Sequence, residues 1–242
     1  MQVLPVMHIQ ENLEDSELQD FINLGYPLSL TFQTMAQNTE AHLDLILESV
    51  LEKYQKVDEL KTVLYTCLKE LVVNGLKANH KRIFFENNLF CLENSDDYEI
   101  GMKLYRYHLH NEIKSVFKAE PRDKYVQIIL HHEPNGLRIE VINNSGITHQ
   151  EEKRLRDKLS KVMQCEDLIQ FYMQYADDSE GAGMGMALIT TLLRQIGVDP
   201  NLFRIITKHN ETKARLELPF NAEYQTIREL EKNALGFPKP VL

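Results

Sequence analysis

Gly181-Ala-Gly-Met-Gly-Met-Ala-Leu-Ile-Thr-Thr-Leu-Leu-Arg-Gln-Ile-Gly197 carries glycine at three alternate positions and then runs without a break into an apolar helical pattern. The spacing predicts a loop that feeds a helix N-terminus. Glycine at 181, 183 and 185 permits positive φ and removes Cβ atoms, so a bulky anion can approach the main chain. Unpaired N–H groups and the helix dipole favour phosphate at such a place. Met186, Leu188, Ile189, Leu192, Leu193 and Ile196 recur at three-to-four spacing and predict a face held against a core, and Gly197 supplies a stop. No strand directly precedes the glycines, so the dinucleotide-binding fingerprint is not met.

Working outward, the 242 residues suffice for one large domain, or for a core domain with a smaller helical part. No apolar run approaches the ~20 residues of a membrane span, and Met1-Gln-Val-Leu-Pro-Val-Met-His8 has neither the basic nor the long apolar region of a signal peptide, which predicts a cytoplasmic location. The net charge of −9 argues against nucleic acid or an anionic membrane as the main partner, so an anionic ligand needs a local basic site. Cys67, Cys91 and Cys165 are few, scattered and odd in number, which argues against a disulfide framework or a cysteine metal site.

Upstream, an acidic start, apolar spacing and Gly25 predict a short helix from Asn12, and Pro27-Leu-Ser-Leu-Thr-Phe-Gln33 alternates as a strand does. Thr39 to Lys56 reads as a helix with Leu43, Ile46, Val50, Leu51 and Tyr54 along one side, which leaves two roles open: dimerisation, or packing on the domain next door. The stretch from Asp58 to Asn79 reads as another helix with a stripe of Leu60, Leu64, Cys67, Leu71 and Val72. Beside that stripe, Glu70, Asn74 and Lys77 fall within an arc of about 60° by the 3.6-residue period. A carboxylate to orient a nucleophile, an amide oxygen to ligate Mg²⁺ and an ammonium for phosphate suit one task, although a solvated Glu/Lys face has the same spacing.

Tyr125-Val-Gln-Ile-Ile-Leu-His-His132 and Leu137-Arg-Ile-Glu-Val-Ile-Asn143 alternate around the turn residues Glu133-Pro-Asn-Gly136, and the second strand runs into the polar turn Asn143-Asn-Ser-Gly146. Three motifs now stand in order. Glu70-x-x-x-Asn74-x-x-Lys77 resembles the N box, Val141 to Gly146 the first glycine box and Gly181 to Gly185 the second glycine box of the histidine-kinase-like ATPases, with the glycine run closest to the sensor histidine kinase version. The resemblance covers roughly residues 58–219. It implies an α/β (α+β) two-layer sandwich, with a mixed, mostly antiparallel sheet and helices on one face. Around it would stand extra N-terminal helices in 1–57, a helical insertion at about 81–123, and a C-terminal helix and tail in 221–242.

Carried over by resemblance, Glu70 is the base that orients water or an acceptor, Asn74 the Mg²⁺ ligand and Lys77 a phosphate contact. Gly181, Gly183, Met184 and Gly185 wrap the phosphates of ATP, and Asn143, Ser145, Gly146 and Thr212 lie at the adenine. The first glycine box departs from the pattern, because Asn143 stands where the family has an aspartate and the box is one residue short around Ser145-Gly146. An amide oxygen still accepts a hydrogen bond from the exocyclic amine of adenine.

Thr148 with Glu151 has capping-box spacing, and Lys153, Arg154, Arg156, Lys158 and Lys161 form a basic cluster on the helix that follows. From there to Tyr175 the reading is helix and then mobile cover, with Asp177-Asp-Ser-Glu180 flexible. The insertion reads as a helix with Ile100, Leu104, Tyr107, Ile113 and Phe117 as its apolar positions. His108 and His110 point apart on it, as do His131 and His132 on a strand, so neither pair shares a metal. His42-Leu-Asp44 lacks the acid and proline of a phospho-acceptor motif. The resemblance therefore implies a stand-alone, ATP- and Mg²⁺-dependent signalling protein that transfers phosphate to itself or to a partner such as a response regulator, with homodimerisation open. A serine/threonine kinase of the anti-sigma type and a non-catalytic partner-binding module are the alternatives.

Overall fold

The computed structural model describes residues 5–9, 15–34, 37–111, 123–175 and 183–235. One six-stranded sheet organises the chain. Its strands are β1 (Met7–His8), β2 (Leu28–Phe32), β3 (Val126–Glu133), β4 (Gly136–Asn143), β5 (Phe203–Lys208) and β6 (Glu211–Pro219), in the spatial order β1-β2-β3-β4-β6-β5. Every neighbouring pair is antiparallel except β1 with β2, so the sheet is mixed and mostly antiparallel. Glu133 pairs with Gly136 across a two-residue connection, as the Pro-Asn-Gly turn predicts.

The helices are α1 (Asp15–Leu24), α2 (Gln37–Lys53), α3 (Val57–Asn87), α4 (Ser95–Asn111), α5 (His149–Gln164), α6 (Leu168–Tyr175), α7 (Met184–Gln195) and α8 (Ile227–Ala234). Alternation decides which sheet face they cover. Val126, Ile128 and Leu130 of β3, Leu137, Ile139 and Val141 of β4, and Leu216 and Leu218 of β6 point to one side and join buried residues of α1, α2, α3 and α7 in a single core. The other side carries Arg138, Glu140, Lys213, Arg215 and Glu217, with Lys213 on Glu140 at 3.1 Å and Arg215 on Glu217 at 3.4 Å. The short α8 starts there, its Ile227 N–H donating to Glu217 at 2.7 Å.

The described part of 1–57 shares sheet and core with the rest: β2 pairs with β3 over five residues, and Leu18, Ile22, Leu43, Ile46, Leu47, Val50 and Leu51 are buried in the common cluster. Of the two roles open to α2, its apolar side fills the packing one.

Two expectations for the insertion are corrected. Helix α3 does not stop near residue 79 but continues unbroken to Asn87, because 78–87 contains neither glycine nor proline and buries Asn79, His80, Arg82 and Phe85. On α4 the expected apolar face is the wrong one, since Ile100, Leu104 and Tyr107 are exposed. Tyr98, Met102 and Tyr105 instead pack on Phe85 in a separate small core. The expected positions Ile113 and Phe117 lie outside the described residues.

Candidate functional site

The long α3 carries Glu70, Asn74 and Lys77 past the ends of β4 and α7. Gly75 sits where α3 crosses the sheet, and a Cβ there would touch Val126 at 3.1 Å and the Cβ of Asn143 at 3.5 Å. One turn earlier, Glu70 lies against the first turn of α7 so closely that a Cβ on Gly185 would overlap its carboxylate. An acidic group beside a helix N-terminus is electrostatically favoured. Asn74 is exposed, and its Nδ2 donates to Glu70 Oε1 at 3.0 Å, which leaves its Oδ1 as a free lone-pair donor. Lys77 is half-buried, and its carbonyl accepts a hydrogen bond from the Tyr105 hydroxyl of α4 at 3.0 Å.

Gly183 is the N-cap of α7, with φ +74°. A Cβ there would meet Phe171 of α6 at 3.0 Å and the Lys158 stem of α5 at 3.5 Å. Gly181 lies outside the described residues, as does 177–180. At the far end Gly197 takes φ +75°, its N–H reaching the carbonyl of Arg194 and that of Val198 the carbonyl of Leu193, which is the glycine stop the sequence predicts. The segment expected to be a mobile cover is helical as α6, where Phe171 is buried with Ala187 of α7.

The β4 end is closely tied down. Asn143 is only 6% exposed, pairs with Thr212 across β4–β6, and donates from Nδ2 to the Ser145 carbonyl at 3.3 Å. Thr212 Oγ1 donates to that same carbonyl at 3.0 Å. With its NH₂ turned inward, the amide of Asn143 keeps Oδ1 as an acceptor. Ser145 Oγ donates to Asn79 Oδ1 at 2.7 Å, and Asn79 Nδ2 to the Tyr125 carbonyl at 2.9 Å. Gly146 has no room for a side chain because the His209 carbonyl of the β5–β6 turn packs on its Cα.

Sequence reading missed Arg82. This buried side chain donates to the Gly146 carbonyl from Nε at 3.2 Å and from NH2 at 2.8 Å, and forks onto both oxygens of Glu151. Glu151 in turn completes the capping box with Thr148 and accepts from Lys81 at 2.8 Å. Burial alone would raise the Glu151 carboxyl, but Arg82 and Lys81 override it and hold the pKa down to about 2. The sequence signal was there: a capping-box glutamate leaves lone pairs free, and two cations at 81 and 82 stand on the continuing helix. The basic cluster of α5 mostly disperses. Arg156 donates to the Ile205 carbonyl and to Glu152, Lys161 pairs with Asp157, Arg154 lies over the Tyr98 ring, and the Lys158 stem lies against Gly183.

Among the described residues no group of three or more His, Cys, Asp or Glu side chains could hold a metal, and no helix is long and apolar enough to cross a membrane. His132 is held by Tyr54 and the Tyr26 carbonyl, and His80 stacks on His108 at 5.6 Å. No family model matches the chain, and no solved structure matches it. An uncharacterized protein of Treponema pallidum (strain Nichols) is 28% identical over 224 residues, which is 92% of this chain and 44% of that protein. The chain thus spans less than half the length of the relative it matches.

Proposed function

We propose that the protein binds ATP with Mg²⁺ between α3, the turn after β4 and the N-terminus of α7, and that it transfers the terminal phosphate to itself or to a protein partner as a cytoplasmic, histidine-kinase-like signalling protein. One observation carries the reading. Segments far apart in sequence meet in the order that the resemblance requires: Glu70 against Gly185, Gly75 against Asn143, and Asn143 beside Thr212. Helix packing alone needs small residues at 75 and 185, but it does not require a carboxylate and an amide one turn apart beside them.

In this arrangement Glu70 accepts the proton of the attacking group, Asn74 Oδ1 would hold Mg²⁺, and Lys77 with the α7 N-terminus neutralises phosphate. Asn143 Oδ1 accepts from the adenine amine. Gly183 and Gly185 supply main chain without side-chain bulk, although at Gly185 the Glu70 carboxylate already fills the space. The non-catalytic module remains the second reading, favoured by the neutral Asn143. The anti-sigma-type kinase shares the pocket and differs in its acceptor.

Glu70→Gln separates these readings. The variant should bind ATP within a few-fold of wild type while turnover or phosphotransfer falls by ~10²–10⁴, the usual contribution of a positioned base. Calorimetric titration with and without Mg²⁺ and release of labelled γ-phosphate measure the two quantities. Acid-labile label marks the histidine-kinase reaction and acid-stable label on a partner the anti-sigma one. ATP binding with no release and no label, alone or with a cell extract, leaves the module.

A further inference from the structure

We propose that Arg82 is a positioning residue for nucleotide binding: from the continuation of α3 beyond its N-box positions, it fixes the 143–148 turn and so sets how well the pocket tells adenine from other bases. The inference rests on the nucleotide-binding reading above and deepens it. The turn is clamped from two sides. On one, the His209 carbonyl packs against the Gly146 Cα; on the other, Arg82 makes two hydrogen bonds to the Gly146 carbonyl. Its remaining donors engage Glu151, the residue that caps α5 through Thr148. One planar guanidinium therefore ties the turn to the helix that follows it, a bidentate geometry that a lysine ammonium cannot reproduce.

Three residues earlier on α3, Asn79 holds Ser145 by its side chain. The Ser145 carbonyl is the acceptor that orients both Asn143 and Thr212. Displacing Gly146 therefore moves the Ser145 carbonyl that takes the Asn143 NH₂ and so leaves the amide oxygen as the atom available to adenine. Arg82 is itself buried and need not touch the nucleotide.

The test uses full-length protein, with ADP and inosine diphosphate as probes and hydrogen exchange across 143–148 as a ligand-free readout. Inosine lacks the amine that Asn143 would accept from. Arg82→Gln should weaken ADP by about five- to tenfold, the scale of losing the one neutral hydrogen bond between Asn143 and the adenine amine. It should also bring the ADP-to-inosine-diphosphate preference close to one and speed exchange in the turn, with binding stoichiometry unchanged. Arg82→Lys, which can still donate to the Gly146 carbonyl, should recover part of the preference. Should Arg82→Gln fail to fold, Glu151→Gln, which takes away the charge and one of the two oxygens that hold Arg82, should lower the preference in the same direction. Folded variants with wild-type preference and unchanged exchange overturn this inference alone. Wild-type protein that binds neither diphosphate overturns the functional reading and this inference with it.

Discussion

Asn143 is the residue at which resemblance and structure pull apart. Read as a stand-in for aspartate, it invites the substitution Asn143→Asp as a gain in adenine affinity, since a charged acceptor makes the stronger hydrogen bond. Its surroundings argue otherwise. The side chain is almost fully buried and its NH₂ donates to the Ser145 carbonyl, which an aspartate would meet with an oxygen. Asn143→Asp should therefore lose roughly 1–3 kcal/mol of stability through an unmet buried acceptor, with adenine-nucleotide affinity unchanged or weaker. Urea unfolding and ADP titration check the two halves. Tighter binding at full stability would mean that the Asn143 amide is not committed to Ser145. The capping box at 148 and 151 was legible because it depends on neighbours in sequence. The pairing of Arg82 with Gly146 was not, because it depends on how far α3 continues.

At the scale of elements, strands β2, β3 and β4 and the helices α2, α3 and α7 follow from alternation and from three-to-four spacing, because each buries one face in a common core. The insertion was misread for a definite reason. Its sequence offers two apolar stripes on one helix, Ile100-Leu104-Tyr107 and Tyr98-Met102-Tyr105, and periodicity cannot rank them. Gly101 breaks the tie, because it lies beside the second stripe and lets α4 approach Phe85. A Cβ at Gly101 would stand 2.7 Å from the Phe85 ring, which is fully buried and has nowhere to retreat. Gly101→Val should accordingly cost about 1–3 kcal/mol by overpacking. Hydrogen exchange should rise along 80–109 and remain slow in β3 and β4. Unchanged exchange along that hairpin would show that α4 does not rest on Phe85 through this glycine.

For the molecule as a whole, the sheet ties the N-terminal elements to the candidate site, and the response to acid reports on that union. His132 of β3 packs on Tyr54 just after α2, and Tyr54 in turn on Phe220 just after β6. The Tyr26 carbonyl can only accept, so Nε2 of His132 carries the proton and Nδ1 accepts from the Tyr54 hydroxyl at 2.9 Å. Burial, and then the charge of Lys53, push the pKa of His132 down to about 4 from 6.5. Between those values the unfolded chain binds a proton that the fold refuses, so the stability present above pH 6.5 drains away as pH falls, by roughly 1.4 kcal/mol per pH unit for this group. His131 on the opposite sheet face is also held down to about 4, first by burial and then by Arg138, and adds to the same slope. Glu151 extends the loss below pH 4.5, since its partners stabilise only the ionised form. His132→Gln should be less stable than wild type at pH 7.5, yet its urea midpoint should fall less between pH 6.5 and 4. Parallel slopes for the two proteins would mean that His132 titrates in the fold as it does in the open chain, and that the junction between α2 and the sheet is wet.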